Sequence, residues 1–279
     1  WAPLAARRTP CEVFVGIQSG FSPPGAAAKY DYTARRAALR RTWVLLARAQ
    51  GLVVRFVMGH SPDAALEAAV AAEEEAHGDF LRLDMEEAYA DLPRKTVAFL
   101  QAVMRAYAPR YVLKVDDDVY LRPSNLMSAL AQWSRLEADY VGCMKQGEVF
   151  SAPNFRWFEP QHALLGGHYF THAWGSVYAL SGAAAQQLLD LPLASLRHFA
   201  NEDVTVGAWM LALNATHYDD RRLCAETCKP GAVAVYDFPT CAGLCDPAPS
   251  LDRLHASEDC LRQDDHAPWP SLIRFRRGV

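Results

Sequence analysis

Three consecutive carboxylates, Asp116-Asp117-Asp118, end the apolar run Tyr111-Val112-Leu113-Lys114-Val115. Adjacent acids repel one another and resist leaving water, so an apolar strand does not normally finish in them. A divalent cation removes that penalty. Residues 116 and 118 fall on the same side of an extended chain, which lets both address one ion. Hard oxygen ligands suit Mn²⁺ or Mg²⁺. Such an ion can bridge to a diphosphate and offset the charge of a departing group. The competing reading is a solvated turn whose carboxylates cap the helix beginning at Ser124, and the run alone does not choose between them. An EF-hand is excluded, because no Asp or Asn follows at the next alternate position and no Gly after that.

A second acidic pair stands in Asn201-Glu202-Asp203-Val204-Thr205-Val206-Gly207, just ahead of an apolar helix. Asp203 can simply cap that helix. It can also serve as a general base, taking the proton from an attacking hydroxyl in a single displacement that inverts the attacked carbon. A carboxylate cluster for a metal and one separate base divide the labour of such a reaction between them.

Positioning these groups takes regular elements. Apolar, β-branched runs predict strands over 12–17, 52–58, 80–83, 111–115 and 140–143. Helical spacing predicts helices over 35–49 and 92–107, and one opened by Ser61-Pro62 and closed by Gly78. This alternation predicts an α/β fold, a mostly parallel sheet with helices on both faces, in which ligands sit beyond the carboxyl ends of strands. The aspartates fall at such an end. The second half is less regular: aromatic loops over 150–174, a strand over 176–180, helices over 183–189 and 203–213, then a cysteine-rich stretch. One catalytic domain is expected, with a first half over 12–145, a second over 146–260 and an irregular tail over 261–279.

Composition narrows the classes. The 279 residues carry 28 basic and 32 acidic side chains, a net charge of −4. That balance speaks against nucleic-acid binding through a basic face. No apolar run reaches the roughly 18 residues of a membrane span. Trp1 is no natural start, so an N-terminal anchor outside this chain stays open. Of seven cysteines, five (224, 228, 241, 245 and 260) crowd the last quarter. Their two C-x3-C pairs read as disulfides in a secretory protein or as a metal knuckle in a cytosolic one. The odd count leaves a thiol free or paired between chains. Asn214-Ala215-Thr216 is an N-glycosylation acceptor and points to the oxidising compartment.

Three segments in this order resemble glycosyltransferase family 31, the β-1,3-galactosyltransferase-like family: Arg35-Arg36-Ala37-Ala38-Leu39-Arg40-Arg41-Thr42-Trp43, Lys114-Val115-Asp116-Asp117-Asp118-Val119-Tyr120 and Glu202-Asp203-Val204. Four more look like its plant and green-algal members: Val15-Gly16-Ile17-Gln18-Ser19-Gly20-Phe21, Arg156-Trp157-Phe158-Glu159-Pro160, His172-Ala173-Trp174-Gly175 and Cys241-Ala242-Gly243-Leu244-Cys245. The resemblance implies a GT-A fold, a UDP-sugar donor, a glycan or glycoprotein acceptor, Mn²⁺ and a type II membrane protein of the Golgi lumen. It implies metal binding by Asp118 with Asp116, donor binding by Arg36, Arg40, Lys95, Asp116 and Asp117, and catalysis by Asp203, with Glu202 the lesser of the pair. Many members supply a further metal ligand, a histidine, where Cys245 stands here. Asp246 or water is expected to substitute, and His255 is a remote candidate.

Acceptor sugars stack on aromatic faces. Trp174 beside Gly175, with Trp157 and Tyr169, is the expected acceptor set, and His168, Phe158 and His172 lie in the same stretch. Core packing explains any one of these aromatics equally well. The expected reaction is transfer of galactose from UDP-galactose. The alternatives are the same chemistry with UDP-N-acetylglucosamine, or a carbohydrate-binding homologue that has lost catalysis. A nucleotidyl- or phosphotransferase would want a glycine-rich phosphate loop, which is absent from the sequence.

Overall fold

The computed structural model describes residues 8–262 and the backbone of Arg274–Phe275. Its strands are β1 (Thr9–Gln18), β2 (Val53–His60), β3 (Phe80–Glu86), β4 (Tyr107–Asp116), β5 (Tyr120–Leu121), β6 (Tyr140–Lys145), β7 (His172–Ser181), β8 (His217–Asp219), β9 (Ala234–Val235) and β10 (Arg274–Phe275). The α-helices are α1 (Tyr32–Arg41), α2 (Trp43–Ala49), α3 (Ala64–His77), α4 (Leu92–Ala106), α5 (Pro123–Arg135), α6 (His162–Leu165), α7 (Gly182–Leu189), α8 (Glu202–Ala212), α9 (Pro247–His255) and α10 (Glu258–Leu261). Apart from 261, 262 and the short β10, the expected irregular tail lies outside the described residues.

Eight strands form one mixed sheet in the order β10-β8-β6-β7-β4-β1-β2-β3. Strands β1, β2, β3 and β4 pair in parallel, whereas β7 runs antiparallel to both β4 and β6. The predicted α/β architecture, a mostly parallel sheet flanked by helices with a less regular second half, is the one observed. Alternate residues of β4 face opposite layers. Tyr111, Leu113 and Val115 join the core beneath α1, α2 and α5, while Val112 packs with residues of α4, α7 and α8. These parities put Lys114 on the α4/α8 face and turn the far end of the aspartate run toward α1.

Local chemistry moved several predicted boundaries. The helix expected over 35–49 is two helices, broken at Thr42, whose backbone leaves the helical region (φ −114°, ψ −121°). The break lets Trp43 turn inward and donate from Nε1 to the Val119 carbonyl at 3.0 Å, bracing the turn after the aspartates. The cap of α3 is Asp63, which accepts from the Ala65 and Leu66 amides, and not Ser61. Gly78 closes that helix in the left-handed region, as expected. Ser124 lies inside the first turn of α5, which opens on Pro123. Asn214 follows α8 with φ 52° and is solvent-exposed, so its side-chain amide is accessible.

The cysteines form three disulfides, Cys143–Cys224, Cys228–Cys260 and Cys241–Cys245, which removes the metal-knuckle reading. Only the second C-x3-C pair closes on itself. The first splits between β6 and α10, pinning the segment after β8 at both ends. Cys11 is the free thiol. Among the described residues no helix is long and apolar enough to cross a membrane.

Candidate active site

Four chain ends meet at one edge of the sheet: the carboxyl ends of β1, β4 and β6 and the start of the reversed strand β7. In register, Gln18 stands opposite Asp116, and Lys145 opposite His172. The strand order reverses between β1 and β4, the position at which open α/β sheets form their ligand crevice.

The aspartates divide between two layers. The strand ends at Asp116, and the chain turns through Asp117 and Asp118, so extended-chain parity stops applying there. Asp116 pairs with Lys114 at 2.5 Å on the α4/α8 side. Asp117 is buried, accepting from Ser19 Oγ at 2.7 Å and pairing with Arg35 at 2.6 Å. Asp118 sits 3.3 Å from the same guanidinium. Burial, then the charges of Asp116 and Asp117, push its carboxyl up to about 7 against the pull of Arg35 and Lys114. Burial likewise raises Asp116 despite Lys114. This site is rich in hard oxygen donors and short of positive charge, which fits a divalent cation. Among the described residues no three His, Cys, Asp or Glu side chains come together as a metal cluster. The protein would therefore supply Asp116 and Asp118, leaving the other positions to substrate oxygens and water. Cys245 is tied up in its disulfide, and His255 is engaged with the Tyr120 hydroxyl at 3.1 Å.

The arginine that reaches the aspartates is Arg35, which sequence reasoning passed over in favour of its neighbours. Arg36 is wholly buried: it pairs with Glu73 at 2.6 Å and donates to Ser19 Oγ and the Gly20 carbonyl. Arg40 is held by Glu73 and Asp79. Lys95 is buried, paired with Glu87 at 2.6 Å and donating to the Ser19 carbonyl at 3.0 Å. Arg36, Lys95 and Asp117 thus converge on Ser19 and shape the loop after β1, while Arg40 braces α1 against α3. With its carboxylates already matched, Arg40 has no charge to spare for a diphosphate.

The second acidic pair divides as well. Glu202 is half-buried, accepting from the Tyr178 hydroxyl at 2.5 Å and from Thr96 at 2.8 Å. Burial raises its carboxyl, and Asp203 adds to the rise. Asp203 turns the other way and pairs with Lys145 at 2.8 Å. Burial alone would raise it, but Lys145 and the other groups around it outweigh that, and the carboxyl lies below its ordinary value. His172, 3.9 Å from Asp203, has its Nδ1 2.8 Å from the Phe170 carbonyl. Burial lowers its ring, so at neutral pH the positive charge beside Asp203 is that of Lys145. Gly207 makes this arrangement possible: a Cβ there would lie 2.5 Å from His172 Cβ, so only glycine lets α8 approach β7 this closely. Asp203 does not cap α8; Asn201 holds that position.

Lys114 joins the two clusters. It sits among Asp116, Glu202 and Asp203, whose charges offset its burial and hold its ammonium up, and it donates to the Gly175 carbonyl. Gly175 in turn faces Asp203, whose carboxyl carbon would lie 3.6 Å from an added Cβ. Trp174 stacks edge-on with Phe238 at 5.2 Å and carries the Lys145 ammonium 3.8 Å over its ring. Trp157 is 39% exposed beside Phe150 and meets the α8 cap through its carbonyl, which accepts from Asn201. Tyr169 departs from the expected acceptor set. It is buried with Val149, Phe199 and Val204 in a small core, so its ring is spent on packing. Buried Glu159, from the Arg156–Pro160 segment, accepts from the Ala200 amide at 2.8 Å and orients the approach to Glu202-Asp203.

The model of the Galactosyltransferase family matches residues 34–221. The chain belongs to that family. It is 43% identical to "Probable beta-1,3-galactosyltransferase 13" of Arabidopsis thaliana over 89% of this chain and 72% of that one. It is equally identical to "Probable beta-1,3-galactosyltransferase 12", over 91% and 68%. "Beta-1,3-galactosyltransferase 7" of the same plant is 31% identical over 97% of this chain and 76% of its own. Membership makes the protein a hexosyltransferase acting on a nucleotide-sugar donor and a glycan acceptor. The matched span holds Arg35, the aspartates, Lys145, Trp174 and Asp203.

Proposed function

We propose that the protein transfers galactose from UDP-galactose to a glycan hydroxyl, forming a β-1,3 link with inversion at the anomeric carbon. Asp203 is the general base. The observation that carries this reading is the contrast across Lys114: on one side carboxylates short of positive charge, on the other a carboxylate kept ionised by its own lysine. Asp203 is available to accept the acceptor's proton at neutral pH. Asp116 and Asp118 would hold Mn²⁺ or Mg²⁺, which when bound supplies charge stabilisation to the departing UDP. Trp174 and Gly175 form the floor on which the acceptor sugar lies, with Trp157 at its rim, and Glu202 fixes the start of α8 through Tyr178 and Thr96.

Galactose rests on the names of the relatives, since nothing in the site's residues reads the sugar's C2 or C4 substituent. The deciding experiment assays transfer with UDP-galactose and UDP-N-acetylglucosamine side by side and determines the anomeric configuration of the product. Preference for UDP-N-acetylglucosamine, or a retained configuration, would sink the proposal. Three disulfides and an exposed Asn214 sequon support residence in the lumen of the secretory pathway, in the Golgi, with a membrane anchor outside this chain. Mobility shift on enzymatic deglycosylation of the secretory product tests this, and an unshifted band speaks against glycosylation at Asn214.

A further inference from the structure

The ring closed by Cys241–Cys245 is built against the aspartates. Gly243 sits directly on Asp118, where any Cβ would overlap the carboxylate. The Leu244 amide donates to the Asp118 carbonyl at 2.7 Å. Ser176 of β7 donates to the Ala242 carbonyl, and the Cys245 amide donates to Asp237 Oδ2 at 2.7 Å. Arg35 occupies another side of the same carboxylate at 3.3 Å. Asp118 is thus wedged between a guanidinium and a backbone wall, and a disulfide spanning four positions keeps that wall in place. A free loop of this length would have to order its backbone each time the carboxylate was used.

We propose that the Cys241–Cys245 ring, through Gly243 and the Leu244 amide, is a positioning element for Asp118 that presets it for the metal–diphosphate. The ring acts on donor and cation and leaves the acceptor side untouched. This inference rests on the assignment of Asp118 as a metal ligand, and the test separates the two.

The test measures Mn²⁺ binding in the presence of UDP, by calorimetry on the purified disulfide-bonded protein, for wild type, Asp118→Asn, Gly243→Ala and Cys241→Ser/Cys245→Ser. Altering the groups that orient a metal ligand weakens affinity by about 10–100-fold. Gly243→Ala is expected in that range, and the double serine variant at its lower end. The KM for acceptor is expected to stay at its wild-type value in both. Thermal unfolding separates misfolding from misplacement. Loss of binding in Asp118→Asn with wild-type binding in both ring variants overturns the ring's role and leaves the metal assignment standing. Wild-type binding in Asp118→Asn overturns both. A rise in acceptor KM equal to the loss of metal affinity makes the ring a general structural support and overturns the proposal too.

Discussion

Two carboxylates of one crevice, Asp118 and Asp203, titrate in opposite directions. Asp118 is pushed up to about 7 by burial and by its own neighbours, while Asp203, as deeply set, is pulled below its ordinary value, chiefly by Lys145. Burial acts the same way on both, so the resident cation makes the difference. The first cluster carries three carboxylates against Arg35 and Lys114 and is left short of positive charge. The second has Asp203 matched by one lysine and Glu202 held by two hydroxyls. The proposed metal ligands are left short of positive charge and the proposed base has a lysine of its own, which is the asymmetry that a metal ligand and a base require.

The largest effect that can break this comparison comes from Asp203→Asn. Transfer is expected to fall by about 10²–10⁴-fold with Mn²⁺–UDP affinity unchanged. Unaltered turnover in product analysis would place the base elsewhere. Next comes the metal itself. A ligand carboxylate must be ionised, so Mn²⁺ affinity without donor should be full above pH 7 and fall by about tenfold per unit as pH drops below Asp118's value near 7. Titration calorimetry at pH 5.5 and 8 reads this, and a flat profile would remove Asp118 from the metal. Lys145→Met sharpens the other side. With the lysine gone, burial dominates, the Asp203 carboxyl rises, and activity lost as pH falls is lost earlier, with the acidic limb of kcat moved to higher pH. A kcat profile that keeps its acidic limb in Lys145→Met would show that Lys145 does not set the base. The smallest effect is expected from Glu202→Gln, which keeps an acceptor for Tyr178 and Thr96: a change in kcat of about threefold or less. A thousandfold loss there would exchange the roles of the pair.

Much of the fold was legible because buried strands announce themselves by β-branched runs and helices by Gly78-type closures. The break at Thr42 was not, since local spacing is continuous across it and only the demand of Trp43 for the Val119 carbonyl ends the first helix. The site was legible as far as its acids. Choosing among Arg35, Arg36 and Arg40 takes knowledge of which side of α1 meets the sheet, and residues adjacent on a helix point about 100° apart. Lys145 had a signal that went unread: a lysine ending an apolar strand, as the aspartates end another. Cys143's bond to Cys224 depends on contacts across 81 positions and has no local mark. Tyr169 looked like its aromatic neighbours, and only its packing tells it apart.

The reversed strand β7 has a consequence for how the molecule is made. It lies between β4 and β6, yet leaves the ribosome after both. Until residues 172–181 emerge, β6 has no partner on the β4 side, and the edge of β4 away from β1 lies open to solvent or to a wrong neighbour. The two halves expected from sequence are therefore interleaved in one sheet, and Lys145, Gly175 and Asp203 take their places only late in synthesis. A nascent chain that stalls before β7 holds all three aspartates and has no enzyme around them.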